Sequence, residues 1–261
     1  MGDLDGRTVI ISGVGEGLGR ETALAATRQG GNVVLGARTE ATLEKVASEV
    51  EAAGGKVAWI RTDITNADDC QAIVDLALKE FGRIDGLINV AALDAVFGGL
   101  LDADLEQWKQ VFDVNFFGTL TLCRCAIPAL RDQKGSIVIV SSQTHHHPTP
   151  AAFQTAYGSS KAALSAAMRY LAHEVGPDGI NVNEIAPGWM WGPPVEGYVN
   201  MMSTSRGVDP DVVLSELCAP MALQRMATDE EVAESLVFFA SPRAGGTTGQ
   251  TLLINAGEIV K

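Results

Sequence analysis

The chain has 261 residues, 46% of them hydrophobic, and a formal net charge of −13, with an isoelectric point near 4.7. That much apolar side chain suits a packed core and excludes a disordered chain, while the excess of carboxylates disfavours nucleic acid and anionic lipid as partners. The longest apolar runs fall far short of the roughly 20 residues that a membrane-spanning helix needs, and the opening stretch MGDLDGRTVIISG is acidic without a signal-peptide pattern, so the cytoplasm is the expected location.

In chain order, strands are predicted over Thr8–Ser12, Asn32–Gly36, Val57–Arg61, Gly86–Val90, Ser136–Ser141, Ile180–Ile185 and Thr251–Ile254. Each is short and strongly apolar, as a strand covered on both faces should be. Helices are predicted between them over Leu18–Gln29, Glu40–Ala53, Ala67–Phe81, Leu105–Arg131, Gln154–Val175 and Asp229–Ala240. The alternation predicts an α/β fold: a single-domain, Rossmann-type, doubly wound parallel sheet of seven strands over residues 1–261, with helices on both faces. Residues 188–220 break the rhythm with a long insertion that has its own helical turn, expected to serve as a substrate loop or lid. The four cysteines, Cys70, Cys123, Cys125 and Cys218, have neither zinc-ribbon nor disulfide spacing, and no metal site is expected.

The first strand runs directly into SGVGEGLGR, Ser12 to Arg20, and then into a helix. Glycines in that position let backbone N–H groups and the helix N-terminus approach a pyrophosphate. Their spacing, Gly13, Gly17 and Gly19, is wider than G-x-G-x-x-G. Further on, YGSSK places Tyr157 and Lys161 four residues apart, on one helix face. A free tyrosine has a pKa near 10. A neighbouring ammonium favours the phenolate and brings the group towards a useful range for proton transfer.

The T-G-x-x-x-G-x-G spacing, with Ser12 for the usual threonine, and the Y-x-x-x-K pair resemble the short-chain dehydrogenase/reductase family. The resemblance extends over nearly the whole chain: Asn89 at the fourth strand, Asn115 in VNFFG, Ser142 closing IVIVSS, Pro187-Gly188 after the sixth strand, and the closing LQRMATDEEVAESLVFFAS and TTGQTLLINAG. It implies an NAD(P)-dependent oxidoreductase that moves a hydride between nicotinamide C4 and a carbonyl or secondary alcohol. By the same resemblance Tyr157 gives or takes the oxygen's proton and Ser142 hydrogen-bonds that oxygen. Lys161 lowers the tyrosine pKa and holds the nicotinamide ribose, and Asn115 holds a water that relays the proton. Cofactor contacts are implied for Ser12, Gly13, Gly17, Leu18, Gly19, Arg38, Asp63, Ile64, Asn89, Ala91, Tyr157, Lys161, Pro187, Gly188 and Met190.

After the second strand, NAD-dependent enzymes usually carry an acidic side chain that repels a 2'-phosphate. Here Ala37 and Arg38 follow, and a guanidinium suits phosphate. NADP is therefore expected over NAD, although Glu16 stands where many NADP-dependent members have a basic residue. The family's N-N-A-G reads Asn89-Val90-Ala91-Ala92, and Gly192 stands where a threonine often contacts the cofactor.

Trp189, Met190, Trp191, Tyr198, Met201 and Met202 in the insertion predict a bulky apolar ketone or alcohol as substrate. A 3-oxoacyl reductase is an alternative. It is disfavoured because Leu171-Ala172-His173-Glu174-Val175 lacks the arginine of a LAREV-like stretch, and an acidic carrier would meet like charge. A catalytically retired nucleotide-binding regulatory protein is the other alternative, and the intact Ser142, Tyr157, Lys161 and Asn115 speak against it. A homo-oligomer, tetramer or dimer, is implied by the resemblance. The loop THHHPTP between Ser142 and Tyr157 holds His145, His146 and His147. One of them is expected to contact substrate or stabilise the loop and the others to face water, with His173 packed or capped within its helix.

Overall fold

The computed structural model describes residues 2–148 and 154–260, so Thr149 and Pro150 at the end of the histidine loop lie outside the described residues. Strands β1 (Thr8–Ser12), β2 (Asn32–Ala37), β3 (Lys56–Arg61), β4 (Gly86–Asn89), β5 (Ser136–Val140), β6 (Asn181–Pro187) and β9 (Thr251–Ile254) form one sheet in the order β3-β2-β1-β4-β5-β6-β9. All neighbours are parallel. Helices α1 (Leu18–Arg28), α2 (Glu40–Ala52) and α9 (Asp229–Ala240) cover one face; α3 (Ala67–Phe81), α5 (Thr119–Gln133) and α6 (Thr155–Val175) cover the other. The period-two alternation of a strand divides its side chains between the two cores. Val9 and Ile11 of β1 enter the first, and Ile10 enters the second. Every residue of β1 and β5 is buried, which is why their sequences read as continuous apolar runs rather than alternating ones.

Local chemistry starts and stops the helices. The Asn66 side chain accepts from the N–H groups of Asp68 and Asp69 at the start of α3, and Gly82 ends that helix at a left-handed φ of 72°. Thr228 and Glu231 form a reciprocal capping box at the start of α9.

Two expectations need correction. The helix predicted over Leu105–Arg131 is interrupted: α4 (Leu105–Phe112) and α5 are joined by a π-helical segment, Asp113–Gly118, which contains Asn115. A π-turn inserts one residue into the helical repeat without changing the apolar pattern enough to be read, and such turns recur at functional sites. The insertion holds two full helices rather than one turn, α7 (Pro193–Arg206) and α8 (Pro210–Cys218), and a two-residue pairing of β7 (Met190–Trp191) with β8 (Ala227–Thr228).

Strand order reverses between β1 and β4, which run side by side with Ser12 opposite Asn89. In an open parallel sheet the crevice beyond the carboxyl ends at such a reversal is where ligands bind.

Candidate active site

At that crevice the Ser12 hydroxyl donates to Asn89 Oδ1 at 3.4 Å, and Asn89 donates onward to Cys123 Sγ. Gly13 N and Val14 N both bond the carbonyl of Gly36 on β2, which folds the glycine loop back across the sheet end. Gly13 has φ +82°, and a Cβ there would lie 2.2 Å from Ala91 N; one on Gly19 would lie 2.5 Å from Gly13 O. Above Gly15, by contrast, nothing lies within 4 Å of where a side chain would stand. The loop is thus tight against the protein and open on its outer side, the shape of a phosphate cradle. Leu18, the first residue of α1, is buried beside it; Ile64 is buried in the other core, against Gly118, and Pro187 and Gly188 follow at the end of β6, with Met190 in β7.

Arg38 is exposed after β2 and makes no ion pair within 4.0 Å among the described residues; its charge acts on Asp63. Asp63 Oδ1 accepts from the Thr65 hydroxyl at 2.7 Å and the Thr65 N–H at 3.0 Å, and these bonds, with Arg38 and Arg61 nearby, hold its carboxyl below the usual range. Glu16, which argued against a second phosphate, is paired with Lys45 of α2 at 3.1 Å. A lysine 29 residues away offsets that carboxylate, and only the fold brings the two together.

The predicted reaction centre assembles at the ends of β5 and α6. Lys161 is only 1% exposed, and its ammonium lies 5.5 Å from the centroid of the Tyr157 ring while donating to the Val140 carbonyl at 2.8 Å. Ser142 Oγ accepts from Thr144 N at 3.2 Å and from the Thr144 hydroxyl at 3.0 Å. Burial pushes the phenol of Tyr157 above its ordinary range; Asp94 adds to this, and a hydrogen bond with the Ser142 side chain opposes it. Burial also pulls Lys161 down to about 8, against the attraction of Asp94 and Glu184. The expected depression of the tyrosine by the lysine is therefore not what the structure shows. The ammonium sits against a carbonyl rather than the phenol oxygen, and desolvation outweighs it.

Asn115, fully buried in the π-turn, accepts from Leu93 N at 2.7 Å and donates to Leu93 O and to Ser160 Oγ, both at 3.0 Å. Both of its amide hydrogens are used, so the side chain ties the segment after β4 to the helix that carries Tyr157.

Glu184 is the site residue that the sequence reading passed over. It lies in the middle of β6 with a fully buried side chain, and its Oε2 accepts from Ser165 of α6 at 2.7 Å and Thr251 of β9 at 2.8 Å. The signal was present as a lone acid inside an otherwise apolar, two-face-buried strand, a position where acids are rare unless partnered. His145 Nε2 lies 3.7 Å from Glu184 Oε1, with the imidazole 5% exposed. Its burial lowers its pKa against the pull of Glu184, so the ring is neutral at pH 7. His145 ends a single 3-10 turn, Gln143–His145, that begins at Ser142. It is thus the histidine that anchors the loop. The expectation for the others holds for exposed His147 only, since the ring of partly buried His146 stacks on His145 with centroids 3.8 Å apart. His173 is exposed rather than packed. Burial pushes Cys70 and Cys123 up to about 12, away from thiolate chemistry.

In the insertion, the rings of Trp189 and Tyr198 lie 5.4 Å apart and Trp189 packs against Cys218, Met221 and Met226, while Trp191 and Met201 remain exposed. A cavity of about 530 Å³ opens there between α8 and β8, lined by Trp191, Leu214, Cys218 and Met226 among others.

Residues 13–258 match a family profile described as enoyl-(acyl carrier protein) reductase. The chain is 34% identical over 253 residues to the short-chain reductase protein NovJ of Streptomyces niveus, covering 95% of this chain and 92% of that protein. It is 35% identical over 191 residues to 11-beta-hydroxysteroid dehydrogenase A of Sesamum indicum, covering 72% of this chain and 53% of that protein. Among solved structures, L-sorbose reductase from Gluconobacter frateurii, complexed with NADPH and L-sorbose, superimposes with a TM-score of 0.93 at 26% identity, covering 100% of this chain and 99% of that one.

Proposed function

The chain belongs to the short-chain dehydrogenase/reductase family, and from that premise we propose an NADP(H)-dependent oxidoreductase acting on a bulky apolar ketone or secondary alcohol. Hydride transfer between a nicotinamide and a carbonyl or alcohol is the activity of the family. The observation that carries the assignment is the convergence of Tyr157, Lys161, Ser142 and Asn115 at the sheet end that also bears the open glycine loop. The cofactor, when bound, supplies or accepts the hydride at C4. Everything else falls to the protein: Ser142 orients the substrate oxygen, the Tyr157 phenol gives or takes its proton, and Lys161 supplies the positive charge that makes proton loss from the phenol easier. Asn115 positions α6 through Ser160. Residues 188–220 act as the lid, with Trp191 and Met201 as apolar contacts for substrate, and the cytoplasm is the proposed location. The sesame relative's steroid chemistry supports a bulky substrate.

Arg38 and the lack of an acid beside it favour NADP(H), with NAD(H) the alternative. Parallel fluorescence titrations with NADPH and NADH test this. NADPH is expected to bind tighter, and Arg38→Ala is expected to weaken NADPH about tenfold while leaving NADH little changed. Tighter NADH binding by the wild type overturns the cofactor choice and leaves the tyrosine chemistry standing.

A homo-oligomer, tetramer or dimer, is proposed through α4 and the turn that follows it. Leu105 and Phe117 are 55% and 56% exposed and line one groove with Trp108 and Phe112, an exposed cluster of large apolar side chains that a second copy could cover. Light scattering should find a multiple of the 27.5 kDa chain mass, and Phe117→Glu should reduce it. A monomeric wild type rules the assembly out.

A further inference from the structure

We propose that Asp229 tunes cofactor affinity: its carboxylate sits at the mouth of the glycine loop, where it opposes the approach of a dinucleotide's diphosphate and makes that affinity depend on pH. The inference rests on the reading of the loop as a dinucleotide cradle. Asp229 is the first residue of α9. Its Oδ2 lies 2.8 Å from the position that a Cβ on Gly17 would take, and 2.7 Å from the same position on Gly192. Gly17 is the residue that caps α1, and Gly192 the residue that caps α7; neither helix start has a side-chain cap. Three helix N-termini, those of α1, α7 and α9, therefore converge on one carboxylate. Partial positive charge at helix starts attracts anions, and here the protein's own anion already stands in that field. A diphosphate drawn to the N-terminus of α1 meets this oxygen at close range. A methyl group on either glycine would press on Oδ2, and the carboxylate would have to swing aside.

The surroundings supply no compensating cation. No lysine or arginine pairs with Asp229 within 4.0 Å among the described residues. From α1 the charged group facing it is Glu21, itself paired with Arg20. On α9 its neighbours Glu230 and Glu231 are engaged by Arg28 and Arg225. In the glycine loop Glu16 is engaged by Lys45, and β7 and the start of α7 bring no charge before Glu196. Burial and Glu21 raise the Asp229 pKa, and an incoming diphosphate pushes it further in the same direction. Binding thus takes up a proton at Asp229, and affinity falls as pH rises above the carboxyl's free value.

The test is a titration of wild type and Asp229→Asn with NADPH and with NADH, from about pH 4 to about pH 8, a span that starts near the ordinary aspartate value. The variant is expected to bind both nucleotides roughly five- to tenfold tighter at the alkaline end, the size of one repelled unit charge a few ångströms away. Its dissociation constant should also vary less with pH than that of the wild type. NADH removes the 2'-phosphate, whose own second ionisation falls near pH 6, from the comparison. The capping box uses Thr228 and Glu231, so α9 and the melting temperature should be retained. Asp229→Ala should shift affinity in the same direction. Equal or weaker binding by both variants, with the wild-type pH profile unchanged, overturns the role of Asp229 while leaving the cradle reading intact. Failure of the wild type and both variants to bind either nucleotide overturns the cradle reading and this inference with it.

Discussion

Tyr157→Phe is expected to lower kcat about 10³-fold, within the range lost when a positioned acid–base group is removed, while leaving the dissociation constant for NADPH within about twofold of wild type. Phenylalanine keeps the ring against Lys161 and deletes only the hydroxyl that bonds the Ser142 side chain. The pH profile should carry a second signature. In the free protein Tyr157 is held protonated by burial, so the acid needed for ketone reduction is available at neutral pH. Lys161, pulled down to about 8, is charged below that value and neutral above it. Since kcat/KM reports the free enzyme, the reductive profile should be level below about pH 8 and fall above it, as the ammonium is lost. Alcohol oxidation, which needs the phenolate, should not rise over the same interval, because burial keeps the phenol protonated there and the ammonium that favours its ionisation is being lost. Unchanged turnover in Tyr157→Phe would sink the proposed chemistry, and a flat reductive profile through pH 8 would sink the assignment of the limb to Lys161.

Glu184→Ala is expected to destabilise the fold by about 3 kcal/mol, lowering Tm by roughly 6–10 °C. The substitution strips the acceptor from Ser165 and Thr251 and leaves a void between β6, α6 and β9. It also removes the group that faces His145, at the end of the turn that begins with Ser142. Glu184→Gln separates packing from charge. The amide keeps the volume and can still accept a hydroxyl proton, so the loss of Tm should be less than half as large. The carboxylate's attraction for Lys161 is gone, however, and its sign is known: Glu184 raises the lysine pKa. The alkaline limb of the reductive profile should therefore move below about pH 8. A Glu184→Gln variant with wild-type Tm and an unmoved limb would show that the carboxylate matters to neither.

Much of this was legible in the residues themselves. Every strand of the main sheet begins and ends within two residues of its expected place, because strands buried on both faces leave a continuous apolar run that no other element of that length imitates. Helix α3 is bounded by an Asn cap and a C-terminal glycine, both of which act locally. The joined helix over α4 and α5 was read wrongly, since a π-turn changes hydrogen bonding without changing composition. The two helices of the insertion were missed because few of their residues are buried, Val199 and Ser203 in α7 and Val213 and Cys218 in α8, which leaves little apolar periodicity to read.

By itself, the sequence determined what short-range chemistry determines: seven buried strands, the glycine turn after the first of them, and a tyrosine and a lysine on one helix face. Only the tertiary structure decided which distant charges meet. Lys45 reaches Glu16 across 29 positions, Glu184 comes to stand between Ser165, Thr251 and His145, and Asp229 arrives at Gly17 and Gly192 from the other end of the chain. Periodicity and capping are set by neighbours along the chain, whereas electrostatic and desolvation energies depend on distance through space and on burial. Those are quantities that exist only once the sheet has brought its strand ends together.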